Sequence, residues 1–336
     1  MSTPREDGFG MPAEWAPHQA CLMEWPTRTR AELWGELFDD AKRDYAAVAR
    51  AVAGFEPVIM VADPAQAREA RDHCGAGIEI LPVPIDDSWM RDNGPIFVSD
   101  PRGRLALVHF RFNSWGGRYL PYDRDAQVPA VLAGHLGIRR YEAPFVLEGG
   151  SFFVDGEGTL LTTEQCLLNP NRNPELSRAD IERGLRDFLG AEVVVWLGLG
   201  HSASRDTDGH VDGIAQYVRP GTVMIHAPGE RTDPDHDRGR DNVRRAAGAT
   251  DARGRRLEVI ELDCGSPGGI SYMNFYLPNG GVVVPVAGSP EDDAALAQIA
   301  AVFGDREIVP VPGTVLNEGG GGPHCITQQI PVGAPL

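Results

Sequence analysis

A unit that recurs along the chain constrains the fold most. Short apolar segments follow turn-like glycines at Gly54, Gly103, Gly158, Gly221 and Gly281. They read Phe-Glu-Pro-Val-Ile-Met-Val, Arg-Leu-Ala-Leu-Val-His-Phe, Thr-Leu-Leu-Thr-Thr, Thr-Val-Met-Ile-His and Val-Val-Val-Pro-Val. Such runs, rich in branched residues and bounded by turn formers, predict strands. Successive glycines lie 49, 55, 63 and 60 residues apart, a loose period that suggests five strand-rich units. Helical stretches interleave. One is expected from Arg30 to Ala53, with Trp34, Leu37, Phe38, Ala41, Tyr45, Val48 and Val52 on one apolar face. Others open at Asp63-Pro64, at Asp125, at a capping box Ser177-Arg-Ala-Asp180 and at Ser289-Pro290. Residues 1–30, punctuated by Pro12, Pro17 and Pro26, read as irregular. The charged segment 231–256 reads as a solvated loop and helix. No stretch resembles a linker, so one α/β domain over 1–336 is expected. The alternation alone fits either pseudo-symmetric repetition or a plain layered α/β domain.

Composition narrows the partners. The net charge of −17 makes nucleic acid and anionic membranes poor partners and favours a small cation. No apolar run reaches membrane-spanning length, and the N-terminal Met1-Ser-Thr-Pro-Arg-Glu-Asp lacks an apolar signal core, so a cytoplasmic location is expected. The five cysteines are scattered without a Cys-x-x-Cys pair, which argues against a disulfide framework and a thiolate zinc site. Self-association is left open.

Chemistry concentrates in four stretches. The first is Glu318-Gly-Gly-Gly-Gly-Pro-His-Cys-Ile-Thr-Gln-Gln-Ile330. Four glycines leave little cover over Cys325 and let another group approach, which makes that cysteine a candidate nucleophile. A surface loop before a last strand is the plainer reading. A phosphate cradle is weaker, since no Gly-Lys-Ser/Thr follows. His324 is adjacent, but neighbours in extended chain point to opposite faces, so the acid/base must come from elsewhere. The second stretch, Asp86-Asp-Ser-Trp-Met-Arg-Asp-Asn-Gly-Pro95, places acids and a tryptophan before a strand, although Asp-Asn-Gly-Pro is also plain turn chemistry. In the third, Glu148 precedes two glycines and an apolar strand, suited to orienting a histidine or to a bulge. The fourth is Asp206-Thr-Asp-Gly-His-Val-Asp212, in which a strand would put His210 and Asp212 on one face. It does not fit an EF-hand, and no His-Glu-x-x-His occurs.

One cysteine, one histidine and several carboxylates suggest a cationic electrophile. A neutral acyl group needs one orienting carboxylate at most. A guanidinium offers five N–H donors in a fixed fork and pairs bidentately with carboxylates. Its carbon is a poor electrophile and suits a thiolate. The implied chemistry is hydrolysis through a covalent amidino-cysteine.

Here the residues carry a resemblance. Asp87-Ser-Trp-Met-Arg-Asp-Asn-Gly-Pro95, Glu148-Gly-Gly150, Thr163-Glu-Gln-Cys-Leu-Leu-Asn-Pro-Asn-Arg-Asn-Pro174, Gly209-His-Val-Asp212, Val223 to Pro228 and Gly-Gly-Gly-Gly-Pro-His-Cys-Ile-Thr-Gln-Gln329 resemble the agmatine deiminases. These belong to the Porphyromonas-type peptidylarginine deiminase branch of the guanidine-modifying superfamily. The resemblance implies a pentein α/β propeller of five ββαβ units about a pseudo-fivefold axis. It implies that Cys325 attacks the guanidinium carbon and that His210 serves the leaving ammonia and then the water. It implies further that Asp92 and Asp212 grip the guanidinium, Glu148 orients His210 and Trp89 packs along the aliphatic stem. Asp206 is the candidate for the distal ammonium. No metal or organic cofactor is implied. One departure stands out: Gly322-Pro323 replaces the family's usual Asn-Ile. Agmatine is the expected substrate. Free or peptidyl arginine, amidino transfer to an amine, binding without turnover and a metal-dependent hydrolase are the alternatives.

Overall fold

The computed structural model describes residues 2–204 and 206–336; Met1 and Arg205 lie outside them. The chain builds five small sheets among the described residues, and their strand pairing repeats. Ile96–Ser99 pairs antiparallel with Arg104–Arg111, the helix Val128–Leu136 crosses over, and Arg139–Val146 returns parallel. Phe152–Val154, Thr159–Thr163, the helix Arg178–Leu189 and Val193–Leu197 repeat that order. So do Ala215–Arg219, Thr222–His226, the helix His236–Gly248 and Glu258–Leu262. In the next unit Gly281–Val286 and Glu307–Pro312 flank the helix Glu291–Val302. There the leading strand is reduced to a bridge from Tyr276 to Val283.

The remaining unit closes the ring. Its leading strand, Thr327–Pro331, comes from the end of the chain and pairs antiparallel with His18–Glu24 near the start. The helix Phe38–Ala53 then leads to Val58–Ala62, parallel to His18–Glu24, and Glu79–Pro82 extends the sheet. All five strands expected after glycines are present, but the first plays another part. The strands after Gly103, Gly158, Gly221 and Gly281 are second strands of their units, whereas Val58–Ala62 is the third of its own.

Two local expectations are corrected. Residues 1–30 are not irregular throughout, because His18–Glu24 is a strand. Six of its seven residues are buried, so its sequence shows no period-two alternation to mark it. The helix expected over 30–53 is broken at Gly35, whose φ of 54° and ψ of −128° no continuous helix accepts. The capping box at Ser177 and Asp180 forms as expected, with each side chain accepting from the other's backbone N–H. No helix among the described residues is long and apolar enough to cross a membrane.

Ring closure rests on a strand with all five residues buried. Ile330, 1% exposed, packs into the core shared with Leu22, Ile96 and Phe97. Ile330→Ala is expected to cost about 2–5 kcal/mol of unfolding free energy, read by urea denaturation. A loss within experimental error would show that the last strand does not carry closure.

Candidate functional site

Each unit sends one segment to a common point just before its leading strand. These segments are Met90–Asn93, Gly149–Ser151, Val211–Gly213, the turn through Asn274, and His324 with Cys325. They bond around a ring. Arg91 N donates to Cys325 O at 3.2 Å, and Cys325 N donates to Asn274 Oδ1 at 3.4 Å. Asn274 Nδ2 donates to Asp212 O at 3.4 Å, and Gly150 N donates to Asp92 Oδ1 at 3.0 Å. His210 completes the circuit, with Nδ1 3.7 Å from Asp92 Oδ1 and Nε2 3.9 Å from Glu148 Oε2.

Four expected residues meet here. Cys325 Sγ lies 3.4 Å from Asp212 Oδ2, so the thiol donates to that carboxylate. Asp92, Asp212, His210 and Cys325 are all buried. Gly150 faces the centre: a Cβ built on it would lie 2.7 Å from His210 Nδ1 and 2.9 Å from both Asp212 Oδ2 and Asp92 Oδ1. Any side chain at 150 would fill the space where two carboxylates and an imidazole converge. Gly321 covers the thiol in the same way, since a Cβ there would stand 3.0 Å from Sγ and 2.6 Å from Trp89 Cζ3. His210 and Asp212 share this wall, though not by strand geometry. His210 precedes a 3-10 turn over Val211–Gly213 that aims both side chains inward.

Glu148 stands differently from expectation. It is fully buried, but Oε1 is taken by Arg172 Nε at 2.6 Å. Neither nitrogen of His210 hydrogen-bonds any described residue, nor does Glu148 Oε2. Glu148 therefore faces His210 across 3.9 Å without a direct bond. Trp89 stacks on Trp34 with centroids 6.1 Å apart and walls a cavity of about 310 Å³ that also reaches Asp92, Trp115, Asp206 and Cys325. Asp206 accepts from Tyr119, whose hydroxyl is raised to about 12, first by burial and then by that carboxylate. Of the other acids in the tryptophan motif, Asp87 pairs with Arg30 and Asp86 caps the backbone at Arg124, so neither faces the thiol.

The electrostatics turn on His324 and on Glu14, which lies outside every motif. His324 points away from the thiol. Nδ1 sits 2.9 Å from Asp212 Oδ2 and Nε2 sits 2.9 Å from Glu14 Oε2, with Arg91 3.6 Å beyond. Burial and Arg91 pull the imidazole down, but Glu14 and Asp212 outweigh them, and His324 ends above its ordinary value. Burial pushes Asp212 upward, but the His324 bond and charge bring it below the usual carboxylate value. Glu14 is likewise brought to about 2. Asp92 ends raised, by burial first and then despite His210, while Trp115 Nε1 donates to it at 2.9 Å. Burial lifts the Cys325 thiol well above 9, and Asp212 and Asp92 lift it further. Gly322 N–H and Asn274 Nδ2, the latter 3.2 Å from Sγ, pull the other way. Asn274 carried no motif; its one sequence sign is its position just before a strand, shared with the other four segments.

Among the described residues, two groups bring three donor atoms within 4.8 Å of one another: Glu148, Cys166 and His210, and His201, His226 and Asp235. Neither is well made for a metal. In the first, Arg172 already neutralises Glu148, and burial raises the Cys166 thiol, so a thiolate is unfavourable. In the second, His201 Nδ1 accepts from Ala203 N at 3.2 Å, which puts the proton on the Nε2 that would have to ligate.

The geometry sets two tests. A histidine raised in the fold stabilises fully below about 6.5 and loses that contribution as pH rises through its folded value. Asp212 and Glu14, depressed, stabilise above 3.8 and 4.5 and lose it as pH falls, Glu14 down to about 2. Between about 4.5 and 6.5 all three contribute. His324→Gln should then cost about 3–5 kcal/mol near pH 5.5 in chemical denaturation, because it leaves buried carboxylates unpaired. The gap from wild type should narrow at alkaline pH, and a gap independent of pH would show that His324 is not the cation. Iodoacetamide alkylation of Cys325 in the free protein should keep accelerating above pH 9. A plateau near neutrality would contradict a thiol held protonated by its neighbours.

Comparison with known proteins fits this geometry. The profile of the Porphyromonas-type peptidyl-arginine deiminase family matches residues 10–331. An agmatine deiminase from Pseudomonas aeruginosa is 42% identical, covering 98% of this chain and 97% of its own. A solved agmatine deiminase from Enterococcus faecalis is 37% identical with a TM-score of 0.94, covering 99% of this chain and 98% of its own. A dimethylarginine dimethylaminohydrolase structure, 14% identical with a TM-score of 0.54 over 93% of this chain and 99% of its own, shares the pentein fold.

Proposed function

The chain belongs to the Porphyromonas-type peptidyl-arginine deiminase family, and from this we propose that it is an agmatine deiminase. It hydrolyses agmatine to N-carbamoylputrescine and ammonia. The guanidinium lies where Gly150 leaves room, between Asp92 and Asp212 and facing Cys325 Sγ. Two carboxylates oppose one planar cation, and each can take a pair of its N–H groups. The incoming positive charge reverses the field that holds the thiol protonated, and His210 takes the thiol proton. The thiolate attacks the guanidinium carbon, His210 returns the proton to one terminal nitrogen, the C–N bond breaks and NH₃ leaves. An alkyl-thiouronium remains on sulfur. His210 then removes a proton from water, the hydroxide adds to the carbon, and collapse breaks the C–S bond. Thiolate and a substituted urea result, and the last proton passes to solvent. Glu148 and Arg172 hold the wall behind His210, and Asn274 steadies the sulfur.

One observation carries the choice of substrate. From the thiol outward the walls are acidic: Asp92, then Asp206, then Asp87 and Glu318 at the outer cavity. No Arg or Lys among the described residues lines either cavity. Arg91, the cation in the tryptophan motif, is engaged by His324 O, Gln329 Oε1 and Glu14. An arginine carboxylate would meet Asp206 and Glu318, whereas agmatine presents an ammonium, with Trp89 along its stem. Five free buried thiols fit a reducing compartment, so we assign the reaction to the cytoplasm.

Purified protein should release ammonia from agmatine, and free arginine and a blocked arginyl peptide should be turned over at least about a hundredfold less well in kcat/KM. Cys325→Ala should abolish turnover and still bind agmatine in calorimetry. Equal use of arginine, or an active Cys325→Ala, would overturn the reading.

A further inference from the structure

Two cavities reach Cys325 from different sides. The acidic one runs outward past Trp89 and Asp206 and joins an outer cavity of about 410 Å³ at Leu33 and Glu318. The other shares only Thr207, Gly320 and Cys325 with the first among the described residues. Its inner end is made by His210, Asp212 and Asn274, the groups around the sulfur. Its outer end lies where the turn at Ala203, the 3-10 turn Pro267–Gly269 and the helix Thr314–Glu318 approach one another, with Asn317 Nδ2 donating to Gly268 O at 2.9 Å. A Cβ built on Gly269 would be 3.3 Å from Ala203 Cβ and 3.4 Å from Asn317 Nδ2, and Ala203 is exposed. Among the described residues, Asp212 is the one carboxylate that lines it, and no Arg or Lys does.

The reaction itself makes a second passage necessary. The thiouronium keeps the aminobutyl chain of the substrate on the carbon bound to sulfur. That chain occupies the acidic cavity until the C–S bond breaks. Ammonia must leave and water must arrive during that interval, on the side of the carbon that faces His210. The acidic approach is then filled, and its carboxylates favour a cation over neutral NH₃.

We propose that the chamber beyond His210, opening between Ala203, Gly269 and Asn317, is the passage through which ammonia leaves and the hydrolytic water enters while the substrate chain fills the acidic cavity. The proposal rests on the deiminase reading above. It assigns separate routes by charge: the cation enters past Asp206, and the neutral molecules cross past Ser271 and Asn317. His210 stands where the two routes meet, which lets one imidazole serve the departing nitrogen and the arriving water in turn.

Plugging that outer end from opposite sides tests this. Ala203→Trp and Asn317→Phe should each lower kcat for agmatine by at least about tenfold. The same substitutions in a Cys325→Ala background should leave the agmatine dissociation constant within about twofold. That binding measurement also reports whether each variant is folded. Ala203→Ser should behave as wild type and Ala203→Val should fall between, so the graded pair carries the test if a bulky variant does not fold. Wild-type kcat in both plugged proteins would overturn the proposal. Loss of agmatine binding in step with kcat would overturn it too, by placing the chamber on the path of the cation. If the unsubstituted protein turned over no guanidine, the deiminase reading would fail before any plug was introduced, and this inference would fall with it.

Discussion

Everything at this site depends on burying carboxylates beside a thiol. Asp92 and Asp212 converge on Cys325 in a space that water barely reaches, and burial alone would neutralise all three. The fold resolves the conflict unequally. Asp212 is brought below the usual carboxylate value by His324, whose own value is raised between Asp212 and Glu14. Asp92 and Cys325 are left with raised values and few compensating donors. Burial therefore opposes ionisation of Asp92 and Cys325, and a planar cation of the right width between the carboxylates would relieve that cost. On the proposed reaction, binding and activation of the nucleophile are one event, because a charge between the carboxylates also lowers the cost of the thiolate.

The propeller supplies the geometry. Five units deliver five pre-strand segments to one point, and the hydrogen bonds from Arg91 to Cys325, Cys325 to Asn274, Asn274 to Asp212 and Gly150 to Asp92 tie them together. Each segment is fixed at one end by a strand, so the side chains are positioned by rigid elements although they sit in turns. Gly150 and Gly321 keep the centre open. The terminal strand Thr327–Pro331 closes the ring and also places Cys325, so stability and chemistry share one element.

The sequence reading went furthest where a residue's neighbours along the chain announce its role. Gly-rich cover over Cys325, the His210 and Asp212 spacing, and the acid-tryptophan motif were visible because each lies within a short run. The strand His18–Glu24 was not, since burial on both faces erases alternation. The roles of His324, Glu14, Trp115, Arg172 and Asn274 escaped for another reason, although His324 and Arg172 lie inside quoted motifs. Each acts on a group at least 23 residues away along the chain, and such contacts leave no local pattern. Glu148 shows the same limit: its motif placed it by His210, but the partner it bonds is Arg172. The Gly322 backbone of the unusual Gly-Pro pair lowers the thiol's value against the burial that raises it.

The central claim is that Cys325 carries the alkyl-thiouronium during turnover. Acid quenching of the enzyme mixed with excess agmatine, followed by mass spectrometry of the digested protein, tests it most directly. The account predicts that the peptide containing Cys325 gains agmatine less one ammonia, that the adduct decays as substrate is exhausted, and that Cys325→Ala shows none. Turnover with the Cys325 peptide unmodified at every quench time, and with Cys325→Ala still active, would contradict it.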